Sequence, residues 1–457
     1  MWRWWVGLVG AAVLVTLGVW LGPTLWRQAE SPIVVGLLHS RTGPLALNEK
    51  AMLDAEIMAL EEINEAGGLL GRRVSWVIAD GESDPRIFGR EARRMIETEK
   101  VDVIFGAMTS ACRRAVDDVV TPADHLFIFP SNYEGMDFSP NIICTGPLPN
   151  QQVIPAVTWC LETLKARKFF LAGSDDVLSY AVNTIVKDQL KALGATCVGE
   201  GFATIEGRGV AELIAAIRKS EADVVFSSVV GEANKEFFQG LADAGLTSDK
   251  LPVVSVTVGE EDLRELPADV MAGHYAAWGY FQSLDRPENR EFVARFQKRW
   301  GPNRPTSDPV VSAYNGVKLW AQAVEEARSN LTDQVRKHLR RQSRSSAAGI
   351  VSVDYATFHS WRPFYLGQIR RDGQFDIVWS LERPIRPVPY PMFRSPSYWE
   401  AAVEKWVRSG YPGFGESPAP VPSEPEVKPR PEPEPESEST PAESESESES
   451  TSVGTPS

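Results

Sequence analysis

The chain is poor in the residues that usually carry metal or covalent chemistry. Its four cysteines stand without C-x-x-C spacing: Cys112, Cys144, Cys160 and Cys197. Packed free thiols are therefore expected, and a disulfide framework or a zinc site is not. The five histidines show no H-E-x-x-H spacing, and no G-x-S-x-G motif or P-loop is present. We expect no metal, no cofactor and no enzymatic activity.

A net positive charge is also lacking. The formal net charge is −14 at pH 7. Much of it lies in residues 417–457, which repeat Glu, lack Asp and contain only Lys428 and Arg430 as basic residues. This Pro-, Glu- and Ser-rich segment has few apolar groups to offset the entropy cost of ordering, so we expect a disordered tail. No basic patch indicates a nucleic-acid partner.

One long apolar segment stands at the N-terminus. Residues 4–21 are uncharged and end in tryptophans, which favour membrane interfaces. No A-x-A-like cleavage site is convincing, and no cysteine follows that could accept a lipid. We interpret residues 1–30 as an uncleaved signal anchor that places residues 4–21 in the membrane. A cleaved signal peptide is the alternative, and both place the body outside the cytoplasm.

Five segments repeat one pattern in which a short apolar run is followed by small or polar residues and then by a helix-like stretch. They are residues 101–110, 125–135, 168–176, 223–234 and 252–261. Such runs are typical of buried parallel strands. The polar clusters then fall at the carboxyl ends of the strands, where ligands bind. The pattern predicts an α/β protein with two doubly wound parallel-sheet lobes and a ligand cleft between them.

Local signals define further elements. A helix is predicted over residues 49–66 and ends at Gly67 and Gly68. Residues 272–281 are predicted to form a strand that returns to the first lobe. Asp308 is predicted to cap a helix whose first residue is Pro309. A hairpin turn is expected at residues 371–373 and a short helix at 399–407.

These elements divide the chain into five regions. Residues 1–30 form the anchor or signal peptide, and residues 417–457 form the tail. Lobe 1 comprises residues 31–148 and 278–345, and lobe 2 comprises residues 149–277 and 346–383. Residues 384–416 form a C-terminal extension.

Residues 33–381, about three quarters of the chain, resemble a known family. Matching stretches include GLLHSRTGPLA, EEINEAGGLLGRRV, FGAMTSACRRAV, NYEGMDFSPNIICTG and SDPVVSAY. They are similar to the urea and short-chain amide branch of the type I periplasmic binding proteins, which serve ABC transporters. The resemblance implies two lobes joined by three crossing strands, a small amide or urea-like ligand, and ABC permease subunits as partners.

Several positions depart from that family pattern while the scaffold matches. They are Met108, Ser131, Asn132, Asp176, Tyr180 and Val230. Side chains expected in the pocket have therefore changed, which leaves the identity of the ligand open.

The first lobe is expected to supply the main ligand contacts. Thr109 and Ser110 follow a strand and open a helix, so hydroxyls and free amides there suit a carbonyl or carboxylate. A simple N-cap is the alternative. Tyr133 and Glu134 would supply a stacking ring and an acceptor for amide hydrogens, or else form only a turn.

The second lobe is expected to supply Ser174 and Asp175, unless Asp175 is only a helix cap. Weaker candidates are Ser40, Thr42, Glu232 and Glu260. These residues predict capture of a small amide-type solute with closure of the lobes. A membrane-tethered sensor that uses the same cleft is the alternative function, because freely diffusing transport proteins need neither an anchor nor an acidic tail.

Overall fold

The structure is a computed structural model that describes residues 32–408. Two sheets organise the chain into two α/β lobes, as predicted. The first sheet is parallel throughout and has the strand order β2-β1-β3-β4-β5. Its strands are β1 Ile33–His39, β2 Val74–Asp80, β3 Val103–Gly106, β4 Phe127–Phe129 and β5 Ile142–Cys144.

The second sheet has nine strands in the order β11-β12-β13-β10-β9-β8-β6-β7, with β14 paired to β13. Strands β6 to β10 are parallel, whereas β11 to β14 add antiparallel pairings. The strands are β6 Lys168–Ser174, β7 Thr196–Ala203, β8 Val224–Ser228, β9 Val253–Ser255, β10 Tyr275–Trp278, β11 Ser343–Ser346, β12 Gly349–Val353, β13 Ser360–Ile369 and β14 Phe375–Ile385.

The strand predicted within residues 272–281 is confirmed, but its predicted return to the first lobe was wrong. Strand β10 lies inside the second sheet, parallel to β9 and antiparallel to β13. Tyr275 pairs with both Val254 and Gln368, so the strand is held on both edges. The chain leaves this sheet only after Trp278.

Twelve α-helices flank the sheets in the described part of the chain. They are α1 Ala46–Glu65, α2 Pro85–Glu97, α3 Ser110–Val120, α4 Val153–Glu162, α5 Val177–Ala192, α6 Val210–Lys219, α7 Ala233–Asp243, α8 Ala268–Met271, α9 Pro287–Trp300, α10 Asp308–Ala327, α11 Thr332–Leu339 and α12 Pro396–Arg408. Two 3₁₀ turns, Pro149–Gln151 and Asp262–Arg264, complete the fold.

Helix α1 ends where its sequence predicts. Gly67 and Gly68 have φ angles of 109° and 81°, which favour glycine. The Gly68 amide donates to the Ile63 carbonyl at 2.9 Å and satisfies one of the last free carbonyls of the helix. A Cβ atom on Gly68 would lie 1.9 Å from the Arg72 carbonyl oxygen, so only glycine fits.

Helix α10 begins one residue before the prediction. Ser307 is the N-cap, and Asp308 is the first helical residue. The Asp308 carboxylate accepts a hydrogen bond from the Gly279 amide at 3.0 Å and pairs with Arg362. The predicted cap therefore links the helix to the segment that follows β10.

The hairpin between β13 and β14 and the C-terminal helix α12 are confirmed. Trp399, Val403 and Trp406 of α12 are 0%, 3% and 1% exposed, so the helix packs by the predicted face. The limits of the two lobes stay a prediction.

The predicted anchor (1–30), the tail (417–457) and the end of the extension (409–416) lie outside the described residues. Between residues 32 and 408, no helix has both the length and the apolar character that a membrane span requires.

Candidate functional site

Each of the five repeated segments contains a strand whose carboxyl end leads into the predicted polar cluster. The strands are β3, β4, β6, β8 and β9. The clusters after β3 and β4 belong to the first sheet, and those after β6, β8 and β9 belong to the second. The strand pattern read from the sequence is therefore confirmed.

Thr109 and Ser110 lie at the start of α3. The Thr109 hydroxyl accepts from the Cys112 amide at 3.2 Å, so Thr109 is an N-cap. Ser110 Oγ donates to Glu134, whose other carboxylate oxygen accepts from Arg114 at 3.1 Å. Glu134 is fully buried. The structure thus joins two predicted site residues, Ser110 and Glu134, directly.

Tyr133 has partners inside the chain. Its hydroxyl is hydrogen bonded to His359 Nε2, and the two rings stack with centroids 5.8 Å apart. The Arg113 guanidinium lies 4.5 Å from the centre of the Tyr133 ring. The ring is 1% exposed. Stacking of this ring on a ligand stays a prediction.

In lobe 2 the residues after β6 form a second connected group. Ser174 Oγ accepts from the Val230 amide at 3.0 Å. Asp175 accepts a hydrogen bond from the Tyr180 hydroxyl. Asp176 caps α5 by accepting from the Ser179 amide at 2.7 Å. The alternative that Asp175 is only a helix cap is therefore wrong, and its contact with a ligand stays a prediction.

Burial raises the pKa of Asp176 to about 7, and the negative charges of Glu134 and Asp175 act in the same direction. Glu134 belongs to the first lobe and Asp175 to the second. Carboxylates of both lobes therefore lie near one another, and their repulsion opposes closure when all are ionised.

The raised pKa predicts a pH dependence of stability. A carboxyl whose pKa is raised on folding disfavours the folded state once ionised, so stability is lost as pH rises from about 4 through about 7. Asp176→Asn keeps a capping oxygen and removes the charge. We expect it to raise the free energy of unfolding at pH 8 by on the order of 1–3 kcal/mol and to have a smaller effect at pH 5, where only part of the loss has occurred.

Denaturant unfolding at both pH values measures this effect. Asp243→Asn, at an exposed carboxylate at the end of α7, is the matched control and should show no such difference. Equal effects of Asp176→Asn at pH 5 and pH 8 would contradict the assignment. Glu261 and Asp262, whose pKa values are raised by burial to about 7 and about 6, leave part of the dependence in the variant.

Ser40 and Thr42 hold the loop after β1. Ser40 Oγ accepts from the Ser83 amide at 3.0 Å, and Ser40 is fully buried. Thr42 Oγ1 donates to Asp80 at 3.0 Å and is exposed. Both side chains thus stabilise loop geometry, and their contact with a ligand stays a prediction.

The structure does not bring the two remaining predicted site residues together: Glu260 is buried beside Gln282, and Glu232 lies at a cavity. Glu260 is 1% exposed and accepts from the Gln282 amide at 2.7 Å, beside the segment that leaves the second sheet. Burial raises its pKa well above the ordinary value. Glu232 is exposed at the start of α7 and lines a cavity between the lobes.

That cavity has a volume of about 600 Å³. Its walls are the loop and helix start at residues 43–50 on one side, and residues 231–236 and 262–266 on the other. Asn48 of α1 donates to Asp262 at 3.3 Å across the cleft. The lobes are therefore in contact around the cavity.

Asn234 is a polar residue at this cavity that the sequence analysis missed. It is 2% exposed, and neither atom of its amide has a hydrogen-bond partner among residues 32–408. An unsatisfied buried amide is costly, so such a group is usually completed by a ligand or water. Asn48 and Asp262 were missed as a pair because 214 residues separate them.

One of the departures from the family pattern, Asn132, makes a contact between the lobes, and two others lie within one lobe. Met108 packs with Leu45 and Met52 in a small apolar cluster. Asn132 of the first lobe donates to the carbonyl of Val256 at 3.0 Å, beyond β9. Val230 donates its amide within lobe 2. Of these three changes, the one at Asn132 therefore bears on the contact between the lobes.

Comparison with known proteins identifies a family pattern over most of the chain. A family model described as periplasmic binding protein domain matches residues 33–396. The Leu/Ile/Val-binding protein homolog 8 of Brucella abortus is 25% identical over 357 residues, which cover 72% of this chain and 84% of that protein. A protein named limonene hydroxylase from Geobacillus stearothermophilus is 38% identical over 118 residues, and this match spans only 22% of its length.

Solved structures show the same fold. An ABC transporter solute-binding protein from Rhodopseudomonas palustris, in complex with 3,4-dihydroxybenzoic acid, has a TM-score of 0.72 at 20% identity and covers 78% of this chain and 99% of that chain. A branched-chain amino acid transporter substrate-binding protein from Streptococcus pneumoniae, in complex with isoleucine, has a TM-score of 0.68 at 18% identity and covers 78% and 100%.

Proposed function

The chain belongs to the periplasmic binding protein family, and from this premise we propose that it is the extracytoplasmic solute-binding protein of an ABC transporter and captures a small amide or urea-like solute. The lobes would close on this solute, because a ligand that contacts both favours the closed form. The family implies a location outside the cytoplasm. Attachment through residues 4–21 is part of the proposal.

The observation that carries the ligand class is the Asn234 amide at the cavity, which has no hydrogen-bond partner among the described residues. A side-chain amide offers one acceptor oxygen and two donor hydrogens, which is the pattern that another amide or a urea complements. The charged groups at the cavity nearly balance. They are Glu206, Glu232, Glu236, Asp262 and Glu265 against Lys50, Lys235, Arg264 and Arg304. A neutral dipolar solute suits such a lining.

Polar groups at the strand ends also support the proposal. Glu134 and Asp175 supply carboxylate acceptors for amide hydrogens, and Ser174 supplies a hydroxyl. Each is now bonded within the protein, to Ser110, Tyr180 and the Val230 amide respectively. An entering amide would exchange these bonds for its own. Direct contact with the solute at these positions is therefore proposed.

A thermal-shift screen of the full-length chain tests the ligand class. Ureas and short amides are compared with branched-chain amino acids and hydroxybenzoic acids, which are the ligand types found with the related proteins. We expect an amide or urea to raise the melting temperature, because binding to the folded state alone stabilises it. The shift should be lost in Asn234→Ala and kept in Gln239→Ala, an exposed amide on the same helix.

A shift with amino acids or aromatic acids only would contradict the amide class and leave solute capture standing. Conversion of any of these compounds into a product would contradict a binding function.

The alternative is a membrane-tethered sensor that uses the same cleft. The observation in its favour is the uncharged run at residues 4–21, which has no cysteine after it for lipid attachment. Solute uptake by cells with and without the gene separates the two functions. Loss of uptake supports transport, whereas unchanged uptake with a lost transcriptional response supports sensing.

A further inference from the structure

The C-terminal extension first contacts residues on both sides of the point where the chain passes from the first lobe to the second. After β14, the Asn150 side chain binds both the Arg386 carbonyl, at 2.8 Å, and the Val388 amide, at 3.0 Å. The Met136 amide then donates to the Pro389 carbonyl at 2.8 Å. Residues 386–389 are thus bound to Asn150 and to the first-lobe segment that follows Glu134.

The approach of this segment is close at Gly135. Gly135 has a φ angle of 73°, and a Cβ atom there would lie 2.4 Å from the Pro389 carbonyl oxygen. A side chain at this position would therefore push the extension away from the first lobe.

The extension then attaches to α5 of the second lobe. The Arg394 guanidinium donates to both carboxylate oxygens of Asp188, at 2.5 and 2.7 Å. The Trp399 indole donates to the Pro391 carbonyl at 2.9 Å, which fixes the turn before α12. Trp399 and Trp406 are almost fully buried, so α12 is a packed element and not a loose end.

Trp406 leads directly to the candidate site. Its ring stacks on Tyr180 with the centroids 6.2 Å apart, and the Tyr180 hydroxyl donates to Asp175. One end of the extension therefore lies beside Glu134 and the other beside Asp175, in different lobes. The family match ends at residue 396, so α12 lies almost entirely beyond the family domain.

We propose that residues 386–408 form a strap that holds the two lobes together and that Trp406 is a positioning residue, which sets lobe separation through Tyr180. Opening of the cleft moves α5 away from residues 135–136. Opening must then break either the hydrogen bond between Met136 and Pro389 or the packing of Trp406 on Tyr180. The strap therefore shifts the equilibrium towards the closed form before any solute is present.

Spin-label distances in the full-length, detergent-solubilised chain test the strap. Labels are placed at Glu97→Cys on α2 and Glu212→Cys on α6, which are exposed helices of different lobes. Cys197→Ser removes the one described cysteine that is not buried. Without solute, we expect a narrow distribution of short distances between the two labels in this parent. In Trp406→Ala the distribution should be broader and centred at a longer distance.

Three further variants separate positioning from folding. Trp406→Phe keeps an aromatic ring on Tyr180 and should restore the short distance, and Met392→Ala, at a residue 90% exposed within the strap, should not change it. Arg394→Gln breaks the ion pair with Asp188 and should lengthen the distance even if Trp406→Ala fails to fold. Unchanged distances in folded Trp406→Ala or in Arg394→Gln would overturn the proposal.

The coupling to binding rests on the proposed function and is measured separately with acetamide. We expect Trp406→Ala to weaken acetamide binding roughly fivefold, because less of the protein is in the competent form, and Trp406→Phe to bind as the parent does. If acetamide fails to bind the parent, the proposed ligand class is wrong, and the distances obtained without solute still decide the strap.

Discussion

Replacement of Arg362 by alanine is expected to lower the free energy of unfolding by about 3–5 kcal/mol, because it leaves a buried carboxylate unpaired. Arg362 is 3% exposed and pairs with Asp308, which is 1% exposed. Its other terminal nitrogen donates to Ser312 at 2.6 Å and to the Thr145 carbonyl. One guanidinium thus ties β13, α10 and the exit from β5 together.

The matched control is Arg371→Ala in the turn of the same hairpin. Arg371 is 84% exposed on its side chain and lies 3.8 Å from Asp269, so the change should cost no more than about 1 kcal/mol. Denaturant unfolding gives both values. Arg362→Leu combined with Asp308→Asn should recover part of the loss, since no charge is then left buried. A cost for Arg362→Ala similar to the control would contradict the role of this pair.

Combined replacement of Thr109 and Ser110 by alanine is expected to weaken solute binding by roughly ten- to a hundredfold. Each lost hydrogen bond to a desolvated ligand costs about 0.5–1.5 kcal/mol, and more if a buried group is left unpaired, and about 1.4 kcal/mol is a factor of ten. Here the Ser110 change also removes a donor from the buried carboxylate of Glu134. Removal of the Thr109 cap should lower stability by about 1 kcal/mol.

The two roles are separated by solute titration and by melting of the solute-free protein in parallel. Thr109→Ser retains a capping hydroxyl and serves as the control, with stability and affinity close to the parent. If melting falls in the double variant while the dissociation constant holds, both residues are structural and the proposed contact is wrong.

Local patterns were sufficient to predict most elements. The apolar runs at residues 103–106 and 224–228 form strands because β-branched and aromatic side chains fill both faces of a buried parallel sheet. Helix α1 ends at Gly67 and Gly68 because positive φ angles are required there. These outcomes depend on neighbours in sequence, so the sequence contains the necessary information.

The placement of β10 was not predictable in the same way. Its sequence is compatible with either sheet, and the choice depends on hydrogen bonds to β9 and to β13, the latter about ninety residues further along the chain. The Asp308 prediction failed for a similar reason. A capping residue is recognised from its local context, but this carboxylate is engaged by Arg362 from β13.

The sequence by itself determined the two-lobed α/β class, the strand ends that carry polar clusters and the resemblance to a binding-protein family. Tertiary structure alone decided which of these polar groups bond to one another and which stay unpartnered. Ser110 bonds to Glu134 and Tyr180 to Asp175, whereas the Asn234 amide has no hydrogen-bond partner in the part of the chain that the structure describes. It also decided that Trp406 reaches Tyr180 across more than two hundred residues. Such contacts depend on how the sheets, helices and extension pack in space, which no local sequence pattern encodes.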